Sequence, residues 1–149
     1  MRLIDYLDKN LLIAGLQASE KIEALDILVR HVAKAYPSVD PEEALSVLLE
    51  RENLGTTGIG GEVAVPHGKI PNLPKLLVLV ANSREGVDFK ALDQKPCRLF
   101  FLVLAPAKGT GLHLRILAQI SRLSRNQEFC AAMLDAPDEE TLWGVLSGA

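Results

Sequence analysis

His67 is the residue whose type and surroundings most clearly allow chemistry. It follows Pro66 at the end of a short strand-like stretch, Gly68 leaves space in front of the ring, and Lys69 supplies a nearby cation. An imidazole is both nucleophilic and largely neutral at pH 7, because its reference pKa is about 6.5. Such a ring can attack a phosphorus centre and later act as the leaving group. The alternative is a structural histidine held by loop carbonyls, and from this residue alone neither interpretation is preferred.

Two further residues could assist chemistry at His67. His113 begins a predicted helix on the same stripe as Ile116 and Ile120, so its ring would face the sheet from a helix N-terminus. Free N–H groups and the helix dipole favour anions there. Arg51 ends another predicted helix, within reach of a phosphate bound near His67. Taken singly, each has a simpler explanation, His113 as a polar residue at the rim of the core and Arg51 as a solvated helix end.

The glycine-rich segment 55–69 is a candidate phosphate loop. Gly58, Gly60 and Gly61 allow positive φ and close backbone approach, so their N–H groups could form an anion-binding concavity. The P-loop and dinucleotide fingerprints do not fit, because both need a glycine at the position of Val63. On glycine content alone, a tight turn between a helix and a strand is the better explanation. The candidate loop residues are Thr57, Gly58, Gly60 and Gly68.

Other classes of site and partner find little support in the sequence. The three histidines lie at no helical spacing to one another, so we predict no metal site and no cofactor, and His31 is interpreted as structural. Cys97 and Cys130 stand in no paired spacing, which suggests reduced thiols in a cytoplasmic protein. The net charge of -3 argues against a nucleic-acid partner. The apolar runs are too short for membrane insertion.

Strand patterns lie in the middle of the chain. Continuous apolar runs over 76–80 and 99–104 have strand length and suit strands covered on both faces by helices. A short strand is also predicted over 63–65, broken by the Pro-His-Gly-Lys segment 66–69. Residues 84–89 are expected to form a turn and surface crossing. The order of strand and helix patterns predicts the α/β class.

Helical patterns flank these strands on both sides in the sequence. Ser19 is expected to cap a first helix that ends near Tyr36, and Asp40 to cap a second that stops close to Gly55. With 149 residues, of which 48% are hydrophobic and 23% charged, we expect one domain spanning residues 1–149. A loop over 106–111 and three further helices complete the prediction. The first of these helices starts at Leu112, and the other two are expected to be capped by Asn126 and Asp138.

Three blocks of sequence together resemble the type-2 enzyme IIA domains of the sugar phosphotransferase system. The first runs from Arg51-Glu52 through Thr56–Gly60 to Val63–Lys69, the second covers 86–93, and the third covers 102–114. The chain resembles the fructose and mannitol IIA domains and looks still closer to the nitrogen-regulatory enzyme IIA. The similarity extends over most of the chain, and the Pro-His-Gly-Lys block is specific in this setting.

This resemblance implies a fold and a set of roles. The fold is an α/β sandwich with a central mixed sheet flanked by helices. His67 matches the phosphorylated histidine, which is modified at Nε2 by the histidine-containing phosphocarrier HPr or a nitrogen-branch relative. His113 matches the second active-site histidine, and Arg51 matches the arginine that holds the phosphoryl group. One departure is Gly61-Glu62, where many relatives have a polar residue followed by glycine, and Glu62 places a negative charge near the loop.

The predicted function is therefore that of a phosphohistidine carrier, a phosphotransferase, in a nitrogen-type regulatory role. The first alternative is a sugar-transport IIA subunit that donates to a cysteine of a separate IIB domain. The second is an interaction domain that has the fold and no longer carries phosphate. Retention of His67, His113 and Arg51 together speaks against the second alternative.

Overall fold

The computed structural model describes residues 2–108 and 111–149. Strands occupy the middle of the chain and helices stand on either side of them in the sequence, as the pattern of apolar residues predicts. In chain order, the elements are a 3-10 helix (Leu3–Tyr6), β1 (Leu7–Ala14), α1 (Lys21–Ala35), α2 (Pro41–Asn53), β2 (Gly58–Gly60), β3 (Val63–Ala64), β4 (His67–Ile70), β5 (Leu77–Val87), β6 (Cys97–Pro106), α3 (Leu112–Ser124), α4 (Gln127–Asp135) and α5 (Glu139–Ser147).

One mixed sheet joins the strands in the order β1-β5-β6-β3-β2, and β4 also pairs with β6. The long β5–β6 pair is antiparallel, as is the short β2–β3 pair. The other pairings are parallel, namely β1 with β5 and both β3 and β4 with β6. β6 is thus the strand against which β3, β4 and β5 are all aligned. The predicted α/β class with a central mixed sheet is confirmed.

Alternate residues of β5 and β6 point to opposite faces of the sheet, and helices cover both faces. Burial on both sides explains why these strands are continuous apolar runs in the sequence. On one face, α1 and α2 pack against residues that include Leu77, Leu79, Phe100, Leu102 and Leu104. On the other face, α3, α4 and α5 pack against residues that include Val78, Val80, Leu99, Phe101 and Val103.

Three of the predicted helix caps are present. The side chain of Asp40 accepts the N–H of Glu42, Asn126 that of Phe129, and Asp138 that of Thr141. The prediction for the first helix is wrong by one residue. α1 begins after Glu20, which makes no side-chain cap, while both the N–H and the hydroxyl of Ser19 donate to the Glu23 carboxylate. None of the helices in the described part of the chain is long and apolar enough to cross a membrane.

The strands differ from the prediction at three places. β5 continues to Val87, which pairs with Cys97 beyond an irregularity in the ladder, so residues 84–87 are strand rather than turn. β1 is an additional edge strand, in which Asp8 and Lys9 interrupt the apolar pattern. The predicted break over 66–69 is instead mostly β4. The expected loop over 106–111 starts one residue later, because Pro106 ends β6, and its residues 109 and 110 lie outside the described residues.

Candidate functional site

A cleft of about 570 Å³, which we call the histidine cleft, opens where the C-terminal end of α2, β4 and the first turn of α3 meet. Arg51 lines it from α2, His67 and Lys69 line it from β4, and His113 lines it from α3. The three residues singled out for chemistry in the sequence therefore come together in one place. Gly68, one of the four predicted loop residues, also lines this cleft.

A hydrogen bond to the ring of His67 determines which of its nitrogens is free. Nδ1 lies 2.8 Å from the backbone carbonyl oxygen of Val65. A carbonyl oxygen only accepts, so Nδ1 carries the hydrogen and donates it. In the neutral ring Nε2 then keeps its lone pair. Nε2 is therefore the ring nitrogen of His67 whose lone pair is free.

The strand that carries His67 is fixed on β6 despite its proline and glycine. The carbonyl of Pro66 accepts the N–H of Val103 at 2.9 Å, and His67 lies opposite Val103 in the parallel ladder. A proline lacks only the donor, so its carbonyl can still join a ladder. This bond is the physical reason why the segment predicted as a break forms a strand.

Gly68 brings α2 close to β4. A Cβ at this position would lie 2.6 Å from Cγ1 of Val47 on α2, a separation that no two carbon atoms tolerate without movement. Glycine therefore lets the helix lie directly on the strand. Because Arg51 is one helical turn beyond Val47, this close approach places its side chain at the cleft that holds His67.

The guanidinium of Arg51 is oriented by the end of its own helix. Nη1 donates to the carbonyl of Gly55 at 2.9 Å, just after α2 ends. A guanidinium has five N–H donors in a fixed fork, so one bond fixes its orientation and leaves others for an anion. Within residues 2–108 and 111–149, neither Arg51 nor Lys69 forms an ion pair, while Glu50 is the one acidic residue among those that line the cleft.

His113 stands in the first turn of α3, after Gly111, which has a left-handed φ of 83° and gives the helix no side-chain cap. Burial lowers the pKa of the His113 imidazole, and the positive charge of Lys69, together with that of His67 when its ring is protonated, lowers it further. The ring is therefore neutral near pH 7. A neutral ring at an uncapped helix N-terminus, beside two cations, is a favourable neighbour for an anionic group.

Three residues of the predicted phosphate loop do not line the histidine cleft. The N–H of Thr57 donates to Glu52 at 3.0 Å and its hydroxyl donates to the same carboxylate. The N–H of Gly58 donates to the Thr56 hydroxyl oxygen at 3.1 Å. Gly60 lies in β2, beside the carboxylate of Asp93.

Several N–H groups of the glycine-rich segment are thus already bonded within the protein. The N–H of Gly61 is also taken, by Asp93 at 3.1 Å. A Cβ on Gly58 would lie 2.8 Å from Ala91, so this glycine serves close packing. Protein oxygens accept the N–H groups of Thr57, Gly58 and Gly61 in this structure, and the phosphate-loop role of Thr57, Gly58 and Gly60 stays a prediction.

Glu62 and His31 both have partners outside the histidine cleft. Glu62 is in a left-handed turn with φ of 70°, and its carboxylate lies 3.4 Å from Arg98, outside the lining of the histidine cleft. Its charge is therefore directed to Arg98. His31 lies on α1, where Nε2 is 2.9 Å from the carbonyl oxygen of Asn10, as expected of a structural histidine. Among the described residues, no group of three His, Cys, Asp or Glu side chains could hold a metal ion.

The rim of the histidine cleft contains exposed leucines that the sequence analysis did not single out. Leu54 is 85% exposed and Leu114 is 62% exposed, and both line the cleft. Exposed apolar side chains around a polar centre are typical of a surface that binds another protein. The sequence contains one indication of such a surface, because Leu114 directly follows His113.

Comparison with protein families gives a match over residues 5–148 to the family described as phosphoenolpyruvate-dependent sugar phosphotransferase system, EIIA 2. A nitrogen regulatory protein of Bradyrhizobium diazoefficiens is 35% identical over 147 residues, which is 99% of this chain and 95% of that protein. A fructose-specific EIIA component of Haloferax volcanii is 38% identical over 124 residues, covering 83% of this chain and 80% of that protein.

Solved structures of similar fold agree with these matches. The crystal structure of the nitrogen regulatory protein IIA-Ntr from Neisseria meningitidis superposes with a TM-score of 0.88 at 24% identity, covering 97% of this chain and 98% of that one. The mannitol enzyme IIA of Escherichia coli, in complex with phosphorylated enzyme IIB, gives a TM-score of 0.78 at 21% identity, covering 96% and 98%. At these identities the likeness shows the shared fold.

Proposed function

We propose, from the fact that the chain belongs to the EIIA 2 family of the phosphoenolpyruvate-dependent sugar phosphotransferase system, that it carries a phosphoryl group on Nε2 of His67. The observation that carries this proposal is the hydrogen bond from Nδ1 to the Val65 carbonyl, which leaves the Nε2 lone pair free. The positive charges of Arg51 and Lys69, which line the same cleft as His67, would attract an anionic phosphoryl group and so support this proposal.

The proposed reaction is an in-line transfer between two imidazole nitrogens. A bond forms from Nε2 of His67 to the phosphorus as the nitrogen–phosphorus bond of the donor breaks, and the donor ring leaves with that electron pair. The hydrogen on Nδ1 stays in place throughout. Transfer of this kind has a loose transition state with charge on the equatorial oxygens. Arg51, Lys69 and the helix N-terminus at His113 would stabilise that charge. The protein is thus a phosphotransferase through its phosphohistidine.

The proposed donor is an HPr-like phosphocarrier protein. A protein donor must bring its own phosphohistidine to the cleft, which requires a docking surface rather than an enclosed pocket. The exposed Leu54 and Leu114 on the rim supply the apolar part of such a surface. We place this exchange in the cytoplasm and assign it to one domain over residues 1–149, with no resident cofactor.

A nitrogen-type regulatory role is the form of this function that we favour. The nitrogen regulatory protein of Bradyrhizobium diazoefficiens aligns with 99% of this chain at 35% identity. Phosphorylation adds about −1.5 to −2 charges, enough to change which protein binds to a surface. The transport alternative, donation to a IIB cysteine, is supported by the likeness to a fructose-specific EIIA component. The alternative of an interaction domain that carries no phosphate is the least supported, because such a domain would not need a free lone pair on Nε2 of His67.

Phosphorylation in a reconstituted system tests the proposal. The protein is incubated with phosphoenolpyruvate, enzyme I and HPr, and intact mass is measured before and after acid treatment. We expect one acid-labile phosphate on the wild type and on His31→Ala, and none on His67→Ala. The His31→Ala control removes a histidine that is bonded to a backbone carbonyl and lies outside the cleft. An unlabelled wild type beside a labelled control IIA protein, or a labelled His67→Ala, would contradict the proposal.

A second assay separates regulation from transport. The phosphorylated protein is mixed with a purified fructose-type or mannitol-type IIB domain, and the appearance of phosphocysteine is followed. Rapid transfer would favour the transport alternative. Absence of transfer, while a transport IIA protein transfers under the same conditions, would favour the regulatory role.

A further inference from the structure

A buried ion pair lies behind the histidine cleft, where the proposed reaction does not use it. Glu52 follows Arg51 on α2, and its side chain is only 3% exposed. The ammonium of Lys21, on the first turn of α1, lies 2.8 Å from Oε1 of Glu52 and is 16% exposed. Burying two charges is costly, and an apolar pair of similar size often stabilises a fold as well or better. The pair therefore needs an explanation other than stability.

Both carboxylate oxygens of Glu52 hold the same residue, Thr57. Oε1 accepts the Thr57 N–H at 3.0 Å, and Oε2 accepts the Thr57 hydroxyl. Lys21 also donates to the hydroxyl oxygen of Thr56 at 3.3 Å, and that hydroxyl in turn donates to the carbonyl of Phe89. Residues 56 and 57 are thus fixed to two helices and to the segment after β5. Thr57 is buried along with its partner.

Thr57 is connected to the reactive histidine by two consecutive hydrogen bonds. Its carbonyl accepts the N–H of Val65 at 2.9 Å. The carbonyl of Val65 accepts Nδ1–H of His67 at 2.8 Å. One residue, Val65, is therefore held through its N–H and holds the ring through its carbonyl. Glu52 does not line the histidine cleft and touches no reacting atom.

We infer that Glu52 is a positioning residue for phosphoryl transfer, an inference that rests on the proposed function of His67. By holding Thr57, it aligns Val65 so that the Val65 carbonyl selects the Nδ1–H form of the His67 ring. The hydrogen bond made by one ring nitrogen determines where the proton of a neutral imidazole resides. When the carbonyl is displaced, the proton is free to move to Nε2, and a ring with hydrogen on Nε2 has no lone pair there to attack phosphorus.

Two double variants test this role without leaving an unpaired buried charge. Lys21→Met/Glu52→Leu replaces the ion pair by apolar side chains and removes the acceptor for Thr57. Lys21→Met/Glu52→Gln also removes both charges but retains an amide oxygen that can accept the Thr57 N–H. The two proteins differ only at position 52, where the Gln amide offers an oxygen acceptor and Leu offers none. Circular dichroism and thermal unfolding establish that each is folded before comparison.

The principal readout is the position of the proton on His67, measured by long-range ¹H–¹⁵N NMR on histidine-labelled protein at a pH where the ring is neutral. We expect Nδ1–H in the wild type and in the Gln variant, and a mixture with Nε2–H in the Leu variant. Phosphoryl uptake by the Leu variant should be slower by about 10-fold to 100-fold, as for removal of groups that orient metal-binding histidines. Uptake by the Gln variant should stay close to that of the wild type.

The outcomes separate this inference from the proposed function. If His67 stays entirely in the Nδ1–H form in the Leu variant, the positioning role is overturned. It is also overturned if both variants lose the Nδ1–H form to the same extent, because the acceptor at position 52 would then have no effect. The proton position is measured without any phosphodonor. A wild type that takes up no phosphoryl group therefore overturns the proposed function, while the comparison of the two variants still decides whether Glu52 sets the tautomer.

Discussion

The histidine cleft has a counterpart of similar size near the N-terminus, and the two differ in how their polar groups are used. This second cleft, the N-terminal cleft, has a volume of about 630 Å³ and is lined by residues that include Asp8, Lys9, Tyr36, Lys75 and Trp143. The hydroxyl of Tyr36 donates to Asp8. Lys75 lies 5.2 Å from the centre of the Tyr36 ring, and Lys9 lies 5.3 Å from that of Trp143.

In the histidine cleft the corresponding groups have no such partners. Within residues 2–108 and 111–149, neither Lys69 nor His113 makes a side-chain hydrogen bond or an ion pair, and Arg51 keeps donors to spare. The cleft with the larger volume is therefore the one whose polar groups already have partners within the protein. Cations paired within the protein contribute to the fold, whereas unpaired cations around a free imidazole nitrogen are available to an anion.

The largest effect should come from removing one cation from each cleft. Arg51→Ala is expected to slow phosphoryl uptake by about 10²-fold to 10³-fold, the usual loss when one group that stabilises transition-state charge is removed. Lys75→Ala deletes the same charge from the N-terminal cleft and should leave uptake unchanged. The measurement is the initial rate of labelling from phosphorylated HPr. If both variants slow uptake equally, the rate depends on the net charge of the protein and not on the position of Arg51 in the histidine cleft.

A second variant changes the histidine cleft by packing alone. Gly68→Ala puts a methyl group 2.6 Å from Cγ1 of Val47 and should cost about 1–3 kcal/mol in the free energy of unfolding. Because α2 must move, Arg51 moves with it, and a shift of about 1 Å can lower the rate roughly 10²-fold. Adding Val47→Ala makes space for the methyl group and should restore most of the lost stability and most of the lost rate. Denaturant unfolding and labelling rates measure the effects, and a double variant as impaired as Gly68→Ala would refute this explanation.

The N-terminal cleft should respond in stability rather than in activity. Tyr36→Phe removes the hydroxyl that donates to Asp8 and should cost about 1 kcal/mol or less, because both groups are partly exposed. Phosphoryl uptake should be unchanged. Denaturant unfolding at pH 7 gives the difference in stability, and a loss of uptake in this variant would show that the two clefts are coupled.

The same pair predicts a pH dependence with a definite sign. Partial burial acts to raise the pKa of Asp8, but the hydrogen bonds from Tyr36 and from the Asn10 N–H outweigh it and lower the pKa below its ordinary value of 3.8. The stabilisation is therefore complete well above pH 3.8 and is lost as the pH falls through the lower folded-state pKa. The stability difference between the wild type and Tyr36→Phe should shrink in that acidic range. A difference that grows instead would contradict this account.

The smallest effect is a change of pKa within the histidine cleft on phosphorylation. Burial and the charges of Lys69 and His67 lower the pKa of His113 in the free protein. A phosphoryl group on His67 would add about −1.5 to −2 charges nearby, so the pKa of His113 should rise. NMR titration of its ring in both states measures this. The ring signals of Tyr36, in the other cleft, provide an internal control near neutral pH and should be the same in both states. An equal response of His113 and Tyr36 would mean that the effect is not confined to the histidine cleft.

The sequence predicted the buried strands and several helix starts because those signals are local. The apolar runs of β5 and β6 fall on strands covered on both faces, and Asp40, Asn126 and Asp138 cap the helices that they precede. β1 was missed because Asp8 and Lys9 interrupt its pattern at a sheet edge, where one side of the strand is open to water.

The arrangement of the site depends on contacts that no local pattern shows. The meeting of Arg51, His67 and His113 requires α2, β4 and α3 to converge, and family resemblance rather than spacing indicated it. The hydrogen bonding of the glycine-rich segment has the same origin. Its N–H groups are accepted in part by Asp93, which is remote in sequence, and such pairing is apparent only in the folded chain.

The parallel pairing of β1 with β5 has a consequence for the order in which the protein folds. Leu7 lies opposite Val78, so the first strand has no partner until about half of the 149 residues have been made. At the usual 5–20 residues per second, β1 waits roughly 4 to 14 seconds on the ribosome. β5 and β6 adjoin each other in the sequence and pair with a shorter loop to close. We therefore expect β1 to join last, and its exposed edge to be the segment that most needs protection during synthesis.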